Sequence, residues 1–207
     1  MTAELEFVAA TEADSDRLSD IMLGAPGQLT TDVGLRLFGI SDHGKAQRLW
    51  RVINGTAEAW RHVTLAKSHN ETVGILMTES LDVSIGPSLL FRALLLFGPL
   101  WLLRLPKRMG LQSAVNTKGP EGAFSVSELH VAPSARGGGI GAALLVEAEG
   151  QARAGGHDAM TLQTLTENPA IHLYERFGFK VVETRTDAEY EAVTGVSGYH
   201  RMLKRLA

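Results

Sequence analysis

The residues best suited to chemistry form a glycine-rich run, Arg136-Gly-Gly-Gly-Ile-Gly141, just beyond an apolar stretch that ends at Val131. Pro133 stops that stretch, and apolar residues at helical spacing resume at Ile140. The pattern predicts a strand, a loop and a helix N-terminus, where unpaired backbone N–H groups and the helix dipole bind phosphate. Glycine lets the backbone approach an anion closely, and Arg136 adds a cation.

Three phosphate-binding patterns compete for this run. A P-loop needs a lysine and a hydroxyl residue after its last glycine, and the sequence has neither there, so this pattern is excluded. A dinucleotide fingerprint is matched by Gly137, Gly139 and Ala142, but it should follow the strand directly, and residues 133–136 intervene. The third pattern, Gln/Arg-x-x-Gly-x-Gly/Ala, begins at Arg136. A glycine-rich helix entry that binds nothing is the remaining alternative.

The strand that feeds the loop carries two candidate proton acceptors. Residues 124–131 are predicted to be extended, and the two-residue period of a strand places Glu128 and His130 on one face. Open α/β sheets bind their ligands at this end of a strand. A carboxylate relays a proton through water, and an imidazole accepts one near neutral pH, so both residues are candidate bases.

A second motif lies further along the chain, at Asn168-Pro-Ala-Ile-His-Leu-Tyr-Glu-Arg-Phe-Gly-Phe179. Asn168 at the N-cap and proline in the first turn predict a helix that ends at Gly178. Together with the glycine-rich run, this motif resembles the paired signatures of the GNAT superfamily of acyl-CoA N-acyltransferases. The resemblance is specific over about residues 124–180, where the motifs occur in the order that the family has.

The resemblance implies an α/β fold with a mixed, mostly antiparallel central sheet, which is splayed at the cofactor cleft and has helices on both faces. Acyl-CoA would lie between the strand that ends at Val131 and the one that starts at Ala159. Asn168 would contact the pantetheine arm or lie beside it. The backbone would contact the cofactor at Leu129, Val131, Arg136, Gly137, Gly138, Gly139, Gly141 and Ala142.

The implied reaction is direct transfer of an acetyl group from acetyl-CoA to a primary amine of an unidentified small molecule or peptide. Tyr174 occupies the position from which the family supplies a phenol, and it is the candidate acid for the leaving thiolate. Glu128 is the candidate base, and His130 is its rival. No metal-ligand spacing is present, so we expect no metal. The alternatives are an acyl-CoA-binding sensor or interaction module without transfer and, more distantly, a nucleotide-dependent oxidoreductase.

The bulk properties limit the class of protein. A chain of 207 residues is long enough for one domain, residues 1–207, with an insertion at about 80–123. A net charge of −3 without a basic stretch argues against nucleic acid as a partner. The lack of cysteine and of a signal-peptide pattern favours a cytoplasmic protein. A homodimer is possible.

The insertion contains the most apolar stretch of the chain, residues 89–105. Gly98-Pro99 would break a helix midway, so we predict two helices, Pro87–Phe97 and Pro99–Leu105, rather than a stable membrane span. They would pack on the core or at a dimer interface, form a lid over the acceptor site, or touch a membrane. Residues 106–123 are predicted to be a surface loop.

Local patterns predict the remaining elements. A capping box at Thr11 and Asp14 starts a helix that stops at residues 24–27, and residues 30–40 form a short helix or a loop. A helix over residues 46–53 is expected to end with a left-handed cap at Asn54-Gly55. The other predicted elements are strands 5–9, 60–67, 72–79, 159–165, 179–184 and 199–206, a helix over 139–154, and an undefined connection over 187–197.

Overall fold

The computed structural model describes residues 5–24, 28–56, 59–78 and 87–206. The strands are β1 (Glu6–Ala9), β2 (Val63–Ser68), β3 (Glu71–Met77), β4 (Phe124–Val126), β5 (Glu128–Val131), β6 (Ala159–Leu165), β7 (Lys180–Thr186) and β8 (Gly198–Arg205). The helices are α1 (Ser15–Leu23), α2 (Leu29–Phe38), α3 (His43–Thr56), α4 (Pro87–Phe97), α5 (Pro99–Val115), α6 (Ile140–Ala154), α7 (Ile171–Arg176) and α8 (Ala188–Thr194).

The strands form two four-stranded sheets, with the orders β1-β2-β3-β5 and β4-β6-β8-β7. All pairs are antiparallel except β4 with β6, which run parallel because α6 forms the crossover between them. This is the mixed, mostly antiparallel α/β fold that the family resemblance implies. The stretch 124–131, predicted to be one strand, is two, because the chain passes from one sheet to the other at Ser127.

That crossing opens the space in which the site lies. β4 pairs with β6 only from Phe124 to Val126, after which β5 pairs with β3 on its other side. None of the described strands pairs with the edge of β5 that faces β6, and the two sheets separate there. The predicted splay between the strand ending at Val131 and the strand starting at Ala159 is confirmed.

Helix α6 is held against this opening by the main core. Leu144, Leu145 and Ala148 are fully buried in a cluster that also contains Met160 from β6. Gly74 of β3 allows the close approach, because a Cβ there would lie 3.0 Å from Leu144 Cδ1 and 3.1 Å from the carbonyl oxygen of His130. The first turn of α6 is therefore fixed beside β5.

The N-terminal half follows most of the predicted pattern. The capping box is present, with the Thr11 N–H donating to Asp14 Oδ2 at 2.9 Å, and residues 29–38 form a helix. The predicted cap at Asn54-Gly55 is wrong, because α3 continues to Thr56. Asn54 is fully buried, and its amide donates to Ser19 Oγ of α1 at 3.1 Å. That bond holds Asn54 against α1, so Asn54 lies within α3 instead of ending it. Residues 25–27 and 79 lie outside the described residues.

The insertion forms the two predicted helices, but the predicted loop over residues 106–123 is wrong as far as Val115, since α5 continues through Pro106. Proline inside a helix removes one hydrogen bond and costs about 3 kcal/mol. Packing offsets this cost here, because Leu111 and Val115 are buried in a cluster with Tyr190 of α8. Residues 80–86 lie outside the described part of the chain.

One face of the α4–α5 pair packs on the protein and the other is exposed and apolar. Leu89 and Ala93 are buried, whereas Leu95 and Leu103 are 70% and 77% exposed. No single helix in the described ranges is long and apolar enough to cross a membrane. α4 and α5 taken together have the length and composition of a span, but the two helix axes are bent by 117° at the break between them.

The C-terminal half shows smaller differences. α7 begins at Ile171, later than the predicted start at Asn168, although Asn168 still caps this turn by accepting from the Ala170 N–H at 3.0 Å. The connection over residues 187–197 contains α8, whose N-terminus is capped by Asp187. β7 and β8 lie within two residues of their predicted bounds.

Candidate active site

The glycine-rich run lies on the surface between β5 and α6. Gly137 and Gly139 have φ angles of 79° and 81°, a region that residues with a Cβ rarely adopt. The first hydrogen bond of the helix runs from the Ala143 N–H to the Gly139 carbonyl at 3.0 Å. The amides of Gly139 to Ala142 precede that bond and are the free donors of a helix first turn. The geometry suits a phosphate group above this turn.

The glycines of the run serve different purposes. A Cβ at Gly137 or Gly139 would meet no atom within 4 Å, so these two positions are set by backbone conformation. A Cβ at Gly141 would lie 2.9 Å from Leu173 Cδ2. Gly141 therefore permits contact between α6 and α7, a role that its position in the motif does not reveal.

The exposed edge of β5 supplies further main-chain groups. The Ala132 N–H donates to the Val73 carbonyl of β3 at 2.9 Å. Because hydrogen bonding alternates along an antiparallel pair, the peptide groups of Leu129 and Val131 then point away from β3, into the opening. We call residues 129–131 and 136–142 the amide wall.

Arg136 and Asn168 are both engaged by the protein itself. Arg136 is exposed, and its Nε donates to the Val131 carbonyl at 3.2 Å, so the side chain folds back over the end of β5. Asn168 accepts from the Ala170 N–H and donates to Thr164 Oγ1 at 2.9 Å. These bonds hold the turn between β6 and α7.

Tyr174 lies on α7 with its ring almost fully buried. The ring packs edge-on against Phe179, with the centroids 6.3 Å apart. Burial, and to a smaller extent the negative charge of Glu128, raise the pKa of Tyr174 to about 12. The phenol is therefore protonated at every physiological pH and is able to donate.

Glu128 and His130 are brought together, as their shared strand face predicts. His130 Nε2 lies 2.9 Å from Glu128 Oε2, and the histidine is the more buried of the two. A proton can pass between these groups, so the structure presents them as a hydrogen-bonded pair rather than as separate candidates. The charge of Glu128 also influences Tyr174, which links the pair to the phenol electrostatically.

Beside Glu128 lies a cavity of about 470 Å³, which we call the polar pocket. It forms where α1, α3 and β3 face the two strands that diverge at Ser127. Its volume is in the range of small-molecule sites. Its lining includes Trp50, Met77, Thr117, Glu128, Gln163 and Arg201.

The pocket contains functional groups that the sequence analysis missed. Arg201 on β8 is 8% exposed, and its guanidinium reaches Thr117 and Gln163. These residues lie far apart in the sequence and belong to no motif. The sequence offered one signal for Arg201, an arginine within the alternating pattern of the last strand. An arginine at such a position fits a solvent-facing side chain equally well.

Three comparisons with known proteins bear on this geometry. Residues 109–181 match the family model described as an acetyltransferase (GNAT) domain. That range contains the amide wall, Glu128, His130, Asn168 and Tyr174. No curated protein is significantly similar to this chain in sequence.

Solved structures share the fold over nearly the whole chain. The histone acetyltransferase HPA2 and related acetyltransferase from Corynebacterium glutamicum is 23% identical, with a TM-score of 0.64 and coverage of 98% of this chain and 97% of that one. An N-acetyltransferase from Staphylococcus aureus is 15% identical, with a TM-score of 0.62 and coverage of 96% and 99%. The PaiA N-acetyltransferase from Thermoplasma acidophilum, in complex with coenzyme A, is 14% identical, with a TM-score of 0.57 and coverage of 98% and 99%.

The family match over residues 109–181 and the splayed two-sheet fold make this chain similar to the acetyltransferases of the GNAT superfamily. Acyl transfer is the reaction that this similarity supports.

Proposed function

We propose that this protein is an N-acetyltransferase that transfers the acetyl group of acetyl-CoA directly to a primary amine. The observation that carries the proposal is the proximity, within one opening, of a helix turn suited to phosphate, a strand edge that no described strand pairs with, and the hydrogen-bonded pair Glu128 and His130. The polar pocket, which Glu128 lines, would provide space for the acceptor.

The amide wall fits a CoA thioester. The free amides of Gly139 to Ala142 match the charge and shape of a pyrophosphate, and Gly137 and Gly139 leave the approach open. The outward peptide groups of Leu129 and Val131 would pair with the amides of the pantetheine arm. One of these N–H groups, placed at the thioester carbonyl, would stabilise the oxyanion that forms during transfer. Bound acetyl-CoA supplies the activated acyl group.

Three side chains would accept and donate the protons that are transferred in the reaction. An amine becomes a nucleophile only when it loses its proton, and Glu128, with His130 bonded to it, would accept that proton directly or through water. Once the nitrogen–carbon bond forms and the carbon–sulfur bond breaks, Tyr174 would protonate the leaving sulfur. Its raised pKa of about 12 keeps the phenol loaded with the proton that it must give.

The decisive experiment measures CoA binding by calorimetry and CoA release, by a thiol reagent, from acetyl-CoA in the presence of a panel of primary amines. We expect binding, and thiol release only when an amine is present. Binding without release from any amine would favour the acyl-CoA-binding module instead. Failure to bind CoA, or stabilisation by NAD in its place, would overturn the assignment.

We propose a cytoplasmic location, which the lack of cysteine and the use of acetyl-CoA support. A homodimer and the lack of a metal requirement stay predictions. The exposed apolar face of α4 and α5 is the surface on which a second copy would pack. Sedimentation velocity of the purified protein, and assays with and without a chelator, test these points.

A further inference from the structure

Arg201 is a buried cation at the wall of the polar pocket. It lies on β8, is 8% exposed, and shares the pocket lining with Glu128, Gln163 and Thr117. Removing a guanidinium from water is unfavourable unless its charge is compensated. The surroundings of Arg201 should therefore show what compensates the charge.

The hydrogen bonds of Arg201 go to neutral acceptors. Its Nε donates to Thr117 Oγ1 at 3.0 Å, and its Nη2 donates to the Thr117 carbonyl and to Gln163 Oε1, the latter at 3.0 Å. The other terminal nitrogen, Nη1, has no hydrogen-bond acceptor among the residues that the structure describes. One edge of the planar group is fixed by the protein, and the guanidinium keeps donors to spare.

No carboxylate in the described ranges forms an ion pair with Arg201. The charge that acts on it most is that of Glu183 on the neighbouring strand, but Glu183 Oε1 already accepts from Arg185 Nε at 2.7 Å. The carboxylate of Glu128, on the same pocket, is bonded to His130. Burial lowers the pKa of Arg201, opposed by Glu183, which agrees with an undercompensated charge.

We propose that the acceptor is an amine that also carries a carboxylate, and that Arg201 binds this carboxylate in the polar pocket. The proposal rests on the proposed acetyltransferase function and names its substrate class. With Nε and Nη2 held by Thr117 and Gln163, Nη1 is the nitrogen that would donate to the carboxylate, in a charge-assisted hydrogen bond. The amine would then face Glu128, and the pocket would present opposite charges to the two ends of an amino acid.

The test uses a panel of α-, β- and γ-amino acids, each paired with its carboxamide, which has nearly the same shape and no charge. CoA release is measured for the wild type, Arg201→Met, Arg201→Lys and Arg205→Met. Arg205 lies on the same strand but is exposed, so its replacement removes the same charge outside the pocket. CoA affinity and the thermal midpoint are measured for every variant, to establish that each is folded.

We expect the wild type to prefer at least one acid over its amide in kcat/KM, by roughly 10- to 100-fold, the value of a charged hydrogen bond. Arg201→Met should abolish this preference through the KM of the acid, Arg201→Lys should retain part of it, and Arg205→Met should retain all of it. If Arg201 had a purely structural role, its replacement would instead change kcat/KM equally for the acids and for their amides.

The failures are distinguishable. If the wild type acetylates amides, or amines without a carboxylate, as well as it acetylates acids, this inference is overturned and the proposed function stands. If Arg201→Met binds CoA normally and keeps the full preference for the acid, Arg201 is not the group that recognises it. If no amine in any panel releases CoA, the proposed function itself fails.

Discussion

The amide wall begins next to Glu128 in β5, the polar pocket is lined by Glu128, and the two are built in opposite ways. The amide wall consists of main-chain groups from one short stretch, residues 129–142, held by β5 and the start of α6. The pocket consists of side chains from residues as far apart as Trp50, Thr117 and Arg201. One side is suited to a phosphate group, which main-chain amides bind, and the other to a small molecule that side chains recognise.

The difference has a physical origin. Backbone N–H groups are the same in every residue, so a site built from them depends on conformation, which glycine positions determine. A site built from side chains depends on which residues the fold brings together. Substitutions should therefore act on the amide wall through backbone geometry, and on the pocket through charge and hydrogen bonding.

The largest effect should come from the phenol, which would act where the two regions meet. Tyr174→Phe removes the proposed acid, so kcat should fall by about 100- to 1,000-fold with CoA affinity unchanged. Steady-state kinetics and calorimetry measure the two quantities. Tyr190→Phe is the matched control, since that buried hydroxyl contacts Tyr199 and should leave kcat near the wild-type value. A Tyr174→Phe variant with normal turnover would remove the phenol from the mechanism.

A smaller loss should follow Glu128→Gln, because solvent replaces part of the proton transfer. We expect a decrease in kcat/KM on the order of 10- to 100-fold at neutral pH, again with normal CoA binding. His130→Ala removes the hydrogen-bonded partner, and its pH–rate profile separates the two roles. If the acidic limb of the profile persists in Glu128→Gln and disappears in His130→Ala, the histidine is the base.

Phosphate binding at the amide wall should be sensitive to changes in backbone conformation. Gly139→Ala places a Cβ on a residue with a φ of 81°, which costs about 1–2 kcal/mol and shifts the free amides. CoA affinity should fall about tenfold, and the KM of the amine should stay unchanged. Gly150→Ala is the matched control on the same helix, where a Cβ meets nothing within 4 Å, and it should raise stability by about 1 kcal/mol. Equal CoA affinity in both variants would contradict a backbone-built phosphate site.

The smallest effect concerns stability at high pH. The folded protein keeps the proton of Tyr174 up to its pKa of about 12, whereas an unfolded tyrosine loses it near pH 10. The folded state therefore binds more protons between these values, and this tyrosine makes stability fall as the pH rises through them. Between pH 9 and pH 11, Tyr174 lowers the free energy of unfolding by about 1.4 kcal/mol.

Denaturant unfolding at both pH values checks this. Between pH 9 and pH 11, the free energy of unfolding of Tyr174→Phe should fall by about 1.4 kcal/mol less than that of the wild type. The comparison between the two proteins cancels the contributions of Tyr190 and Tyr199, whose phenols are also buried. An identical loss in both proteins would show that Tyr174 ionises freely.

Elements with strong local signals were predicted correctly, and those that depend on distant packing were not. The capping box at Thr11 and the glycine-dependent turn before α6 formed as expected, because their stabilising bonds lie within a few residues. Asn54 was predicted as a helix end and is buried inside one, because it bonds to Ser19 of another helix. Pro106 was predicted to begin a loop and lies within α5, whose far end is anchored in the core.

By itself, the sequence determined the resemblance to the GNAT superfamily, the order of the core elements, the phosphate-suited turn and the shared face of Glu128 and His130, because each is a matter of local spacing. Only the tertiary structure decided that the strand before the loop divides at Ser127, and that Arg201 is buried beside the pocket without a carboxylate partner among the described residues. The identity of a cofactor site depends on backbone conformation over a few residues. The identity of an acceptor site depends on side chains that only folding brings within a few ångströms of one another.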